Sequence, residues 1–237
     1  MDTNTQVKKL QLLIIPMNRL NERLALIVVV LLLIFSRQST PELQVGDILF
    51  QDLDCGPPCE AIEAVTSGYN GAQLSHNGII TEIKGNKFSQ IFLVEAIGER
   101  VVKTPLDNFL KRSNKVIVGR LKPDYTYMIS DAINYIENSI LGKPYDYIFD
   151  LENDTYYCSE VIYQGFQVAD STQNLFVINP MTFNEPNSKN PFVHWITYYK
   201  ELNATIPEGE LGLNPGGMSQ SDKIDIIHTF EKPSGMQ

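Results

Sequence analysis

The 237-residue sequence is poor in the side chains that most often carry chemistry, with three histidines, three cysteines and one tryptophan. A structural zinc site takes four Cys or His ligands at set spacing. Cys55 and Cys59, bracketing Gly56-Pro57-Pro58, make one close pair, and no second pair stands ready to complete it. Neither a metal nor any other cofactor is therefore expected. Positive charge is also short. Nineteen Lys and Arg face twenty-eight Asp and Glu, for a net charge of −9, and no basic stripe offsets it. Such a chain repels polyanions on average, which argues against nucleic acid as a partner and against electrostatic docking on anionic lipid. Internal repeats are lacking as well.

Long hydrophobic runs are confined to one place. Leu24 to Phe35 is an unbroken apolar stretch of twelve, preceded by Lys8, Lys9, Arg19 and Arg23. Twelve helical residues span about 18 Å, short of the roughly 30 Å hydrocarbon core. A positive flank before a short apolar run reads as a signal segment. No A-x-A-like site follows it, only Ser36-Arg37-Gln38-Ser39-Thr40, so cleavage and retention as an anchor stay open. Residues 1–40 are thus expected to be a signal peptide or N-terminal membrane anchor with a linker, and residues 41–237 the folded domain. The expected location is exported, periplasmic or membrane-anchored, with an N-terminal membrane contact. In an oxidising compartment Cys55 and Cys59 are able to pair, which leaves Cys158 as the odd thiol.

The remainder divides into a strand-rich half and a helical half. Gly46–Gln51 reads as a short strand, Pro57–Thr66 as a helix with proline near its start, and His76–Ile83 with Gln90–Ile97 as a hairpin around Lys84–Lys87. Arg100–Lys103 continues the sheet, Pro105–Arg112 is a short helix and Lys115–Leu121 another strand. Asp124–Leu141 and Tyr156–Val168 show helical spacing, the first ending at Gly142. From Asn184 onward the chain is rich in Pro, Gly and Asn and reads as loops. The pattern is that of an α+β domain, a small antiparallel sheet followed by packed helices.

Thiol hydrolysis needs a thiolate, a neighbouring imidazole and a group that orients it. Cys158, in Tyr156-Tyr157-Cys158-Ser159-Glu160, falls at a helix start, where the dipole and free N–H groups acidify a thiol and await an oxyanion. The same position suits an inert buried cysteine. His76 opens a strand and is better placed to serve Cys158 than His194 or His228, which lie in the loop-rich tail, although a lone His at a strand end is often structural. Glu95 interrupts the apolar strand Ile91-Phe92-Leu93-Val94-Glu95-Ala96. Buried there, it needs a partner, and hairpin pairing brings it toward His76; facing an edge, it is merely solvated.

Taken together, Gly46-Asp47-Ile48-Leu49-Phe50, Ser75-His76-Asn77-Gly78-Ile79, Val94-Glu95-Ala96, Gly142-Lys143-Pro144-Tyr145-Asp146 and Tyr157-Cys158-Ser159-Glu160 resemble the YiiX/YebB-like family. Trp195, Tyr198-Tyr199 and the Pro207–Pro215 stretch continue the likeness. These are circularly permuted papain-like, NlpC-type cysteine hydrolases. The resemblance implies a permuted papain-like hydrolase domain over 41–237, with a barrel-like sheet against the Cys helix and a triad falling on Cys158, His76 and Glu95. Tyr145 and Tyr157 are candidates for shaping a substrate cleft. Asn77 stands where the family pattern suggests Val. The expected activity is amide hydrolysis through an acyl-enzyme on Cys158, with a peptide, cell-wall or lipid-amide substrate. The alternatives are a lipid acyl hydrolase or acyltransferase, and a non-enzymatic binding module on the same fold.

Overall fold

The computed structural model describes residues 42–237. Its centre is strand β1 (Ile48–Gln51), whose four residues are all buried. Such a continuous run suits a strand covered on both faces. β1 pairs antiparallel with β2 (His76–Ile83) on one side and β5 (Val116–Leu121) on the other. β3 (Ile91–Ile97) pairs with β2, and β4 (Arg100–Pro105) pairs with β3. The sixth strand, β8 (Ile224–Thr229), adds to β5, giving the order β4-β3-β2-β1-β5-β8. A small separate ladder joins β6 (Asn179–Pro180) to β7 (Leu211–Gly212).

Period-two alternation sorts the apolar residues onto two faces. Ile48, Phe50, Ile79, Val94, Ala96 and Ile117 pack with Ala132, Ile136, Val161, Ile162 and Phe166. These last five come from α3 (Ile129–Tyr135), its continuation as a wider turn (Ile136–Ile140), and α4 (Cys158–Ala169). On the opposite face Leu49, Ile80, Leu93, Val116 and Val118 meet Leu106 and Phe109 of α2 (Leu106–Arg112). α1 (Pro57–Val65) and α5 (Val193–Glu201) flank a third cluster, of Ala61, Phe183, Trp195 and Tyr199. A short α6 (Pro215–Ser219) leads into β8.

The α+β class stands, and the expected strands of the first half and the two long helices of the second recur within a few residues, the first helix as a 3₁₀ stretch (Pro123–Met128), α3 and the wider turn. Three expectations need correction. The sheet is open rather than barrel-like among the described residues. The outer edge of β4 is occupied by an irregular segment instead, as Val101 N–H donates to Lys143 O and Gly142 N–H to Val101 O. The tail is not all loop, since it supplies α5 and the edge strand β8. Finally, no helix among the described residues is long and apolar enough to cross a membrane. The expected signal or membrane anchor, and with it the exported or membrane-anchored location, is accordingly withdrawn. The run Leu24 to Phe35, like all of residues 1–40, lies outside the described residues.

Cys55 and Cys59 are joined in a disulfide with Cα atoms 5.3 Å apart, and Cys158 is free. Gly46, at φ 94°, turns the chain into β1 where a side chain would strike Ile129. Asp47 then receives both arms of the Arg120 guanidinium at 2.7 Å, an architectural use of this acid. α4 crosses α3 closely at Gly165, where an added Cβ would lie 2.6 Å from Ile136 Cδ1 and 3.2 Å from Ala132 O. A carbonyl on the backbone of a packed helix does not yield like a side chain. Gly165→Val is expected to destabilise the protein by about 1–3 kcal/mol through overpacking, read as a lower urea midpoint with an unchanged m-value.

Candidate active site

The sheet register brings the site together. Ile79 stands opposite Val94, so Gly78 and His76 continue the β2 face that Glu95 shares on β3. A Cβ on Gly78 would lie 3.3 Å from Glu95 Cβ; the missing side chain is what leaves room there. His76 Nε2 then reaches Glu95 Oε2 at 2.6 Å, with both side chains buried. The same oxygen accepts a hydrogen bond from the Arg112 guanidinium at the end of α2.

His76 is also held by its neighbours. Its ring stacks on Phe109 at 5.8 Å between centroids, and on Phe109 also rests Arg112, 5.1 Å from the ring centroid. Gln51, facing His76 across the β1–β2 register, donates to the carbonyls of Phe109 and Ser113. Those are orphan acceptors at the C-terminal end of α2, so Gln51 pins that end of the helix to the strand.

Cys158 is the first residue of α4 and is buried. With Nε2 committed to Glu95, Nδ1 is the ring nitrogen left open, and Cys158 lines the same cavity as the ring. Two contacts seat the start of α4. Asn77 Nδ2 donates to Ser159 Oγ at 3.2 Å, and Glu160 Oε2 accepts the Tyr157 N–H at 3.3 Å. Asn77, the departure from the family pattern, therefore docks α4 on β2 from the face opposite His76.

The electrostatics follow from burial and pairing. Burial opposes charge on His76, but the hydrogen bonds and charges of Cys158 and Glu95 outweigh it and raise the ring to about 9. Burial likewise works against ionised Glu95, yet His76 and Arg112 bring it down to about 2. The pair thus rests as carboxylate and imidazolium at neutral pH. Glu160 lacks such a partner; burial, only partly offset by the Tyr157 N–H, pushes it up to about 8.

A cavity of about 430 Å³ opens onto Cys158 and His76. Tyr145 and Tyr157, both singled out from the sequence, line it. Tyr157 is fixed by the Leu213 N–H on its hydroxyl at 3.1 Å. Tyr145 titrates well above the usual tyrosine range, first through desolvation and then through the charge of Cys158 beside it. Met181, Phe183, Trp195 and Tyr198, from the later part of the chain, complete the wall. Glu95 does not reach the cavity and sits behind His76. Arg112 and Gln51 escape sequence reasoning. A basic residue in a last helical turn looks like an ordinary partner of the helix dipole, and only the fold brings it to Glu95.

Residues 42–228 match the family described as permuted papain-like amidase enzyme, YaeF/YiiX, C92 family. An uncharacterised protein, YiiX, of Escherichia coli (strain K12) is 31% identical over 128 residues, which are 53% of this chain. The match spans 58% of that relative, a little over half its length. The crystal structure of the metalloprotein yiiX from Escherichia coli O157:H7 is similar at a TM-score of 0.60 and 26% identity, covering 80% of this chain and 98% of that one. The word metalloprotein belongs to that structure. Among the described residues here, no group of three or more His, Cys, Asp or Glu side chains is arranged to hold a metal ion. The Glu95 oxygen that faces His76 already holds a guanidinium, which repels a cation, so these residues do not fit a resident metal.

The shifts predict a pH profile of stability. Glu95 and His76 report one interaction from its two ends. Glu95, lowered from 4.5, stabilises above about pH 4.5, and that contribution is lost as pH falls toward 2. His76, raised from 6.5, stabilises fully below pH 6.5 and loses its contribution as pH climbs through 9. Glu160, raised from 4.5, adds a loss as pH rises from 4.5 to 8. The melting temperature is therefore expected to fall on both sides of mildly acidic pH. Glu160→Gln should flatten the alkaline decline, and calorimetry across pH 3–9 measures both effects.

Proposed function

The chain belongs to the permuted papain-like amidase family, and on that premise we propose that it cleaves an amide bond through an acyl-enzyme on Cys158. As a member of the family it is a hydrolase of amidase type. The finer reading rests on one observation: a buried carboxylate, Glu95, holds one nitrogen of the His76 ring, and the free thiol Cys158, first residue of a helix, lines the same cavity as that ring.

The geometry supports the following course. His76 holds the proton of Cys158, leaving a thiolate whose charge the helix start favours. The sulfur attacks the amide carbonyl, and free N–H groups in the first turn of α4 meet the developing oxyanion. The imidazolium gives its proton to the leaving amine. Water, deprotonated by His76, then attacks the thioester and releases the acid. Glu95 touches neither substrate nor sulfur; it fixes the tautomer and steadies the imidazolium. Tyr145 and Tyr157 shape the cleft beside the sulfur.

A peptide or cell-wall amide accords with the amidase assignment. A second reading, in which the acyl part is a lipid chain, gains from the composition of the cavity. Among the described residues, no Asp, Glu, Lys or Arg lines it, so apart from the reacting couple itself a peptide's charged ends find no counter-ion there. The binding-module reading has no comparable support, because every group that thiol chemistry needs is present.

Cys158→Ala is expected to fold and to lose turnover of any amide that the wild-type protein cleaves; continued turnover would remove Cys158 from the reaction. Glu95→Gln keeps the nucleophile and is expected to lower kcat by roughly 10²- to 10⁴-fold, less than the loss of the thiol. Steady-state kinetics on an amide and on an ester of the same acyl group compare the two variants.

A further inference from the structure

We propose that Arg112 is a positioning residue of this site: through the Glu95 carboxylate it sets the pH range over which Cys158 and His76 work as an ion pair. The inference rests on the reading of Cys158 and His76 as the reacting couple.

The geometry has three parts. First, the Arg112 guanidinium and His76 Nε2 bind one and the same oxygen of Glu95, so the two cations share a single negative charge. The other oxygen, Oε1, is buried without a hydrogen-bond partner. Second, Phe109 touches both cations, its ring stacked on His76 at 5.8 Å between centroids and 5.1 Å from the Arg112 guanidinium. Third, Gln51 ties the end of α2 to the central strand, so the guanidinium is held to the carboxylate by the sheet that carries His76. Arg112 itself keeps 29% of its side chain exposed. It is a bridge from the buried pair to solvent rather than a packed core residue.

The charged and titratable groups around the carboxylate and the ring come from three packed elements. β2 supplies His76, α2 supplies Arg112, and α4 supplies Cys158, beside which lie Tyr145 and Tyr157. Asp107 and Lys111, also on α2, pair weakly with each other at 3.9 Å. Removing one positive charge from such a group makes the local potential more negative, and protons are then held more tightly at every member. Loss of Arg112 therefore moves the whole working range toward higher pH. A residue that only packed would lower the rate without moving the range.

The test is the rate of Cys158 carboxamidomethylation by iodoacetamide from pH 3 to 10, followed by mass spectrometry with circular dichroism as a check on folding. Wild-type protein is expected to show a step in rate on the acid side of neutrality. In Arg112→Gln that step should move up by about 1 pH unit or more, a roughly tenfold slower reaction at a fixed pH below it. Arg112→Lys, which keeps a point charge on Glu95, should restore most of the position. An unmoved step in folded Arg112→Gln overturns the inference while leaving the proposed reaction in place. A wild-type profile with no step below neutrality overturns both. Should Arg112→Gln fail to fold, Arg112→Lys carries the test: a shift in its step as large as 1 pH unit, in a folded protein, overturns the inference.

Discussion

One buried carboxylate organises this molecule. Glu95 sits in a strand whose other residues are apolar, fully removed from water, where an unpaired charge costs several kcal/mol. The surrounding structure answers that cost on two sides. A glycine at position 78 leaves space beside it, β2 delivers an imidazole, and α2 delivers a guanidinium. Register, helix placement and side-chain choice all follow from satisfying this single group, and in the proposed reaction the thiol gains an oriented base as a result.

Pairing of this sort confers specificity more than raw stability. A well-packed apolar set in the same place would serve the fold as well or better, because desolvating two charges consumes much of their mutual attraction. What the ionic arrangement supplies is a fixed tautomer and a fixed ring plane. His76 is held by Glu95 at one nitrogen and by Phe109 on its face, so little orientational freedom remains to be lost when a reaction begins. The same logic applies to α4. Asn77 and Glu160 seat its first turn, and Gly165 lets its far half approach α3, so the position of Cys158 is set from both ends of the helix.

Much of this is legible in the amino-acid sequence alone. Glu95 stands out by interrupting an apolar strand, and a hairpin with His76 is the natural way to satisfy it. The long helices follow from their spacing and from Gly142. The rest depends on contacts remote in sequence. β8 carries a plausible strand pattern, but it follows a stretch dense in Pro and Gly and gains its partner, β5, only by a long return. The open sheet is hidden for a similar reason, since the segment that covers β4 has no periodicity of its own. Arg112 bears the signature of a routine helix terminus, and Asn77 reads as a departure from a pattern where the fold uses it as a clasp.

The cavity wall has a consequence for how the protein is made. His76, Glu95, Arg112 and Cys158 are all in the chain before Met181, Phe183, Trp195, Tyr198 and Leu213. Synthesis runs from the N-terminus, so the proposed nucleophile and base are already in the chain while one side of their chamber is still being translated. Until those residues arrive, the apolar lining supplied by the earlier part of the chain has nothing to close against. Maturation of the site is thus a late event, governed by the arrival of its walls rather than of its reacting groups.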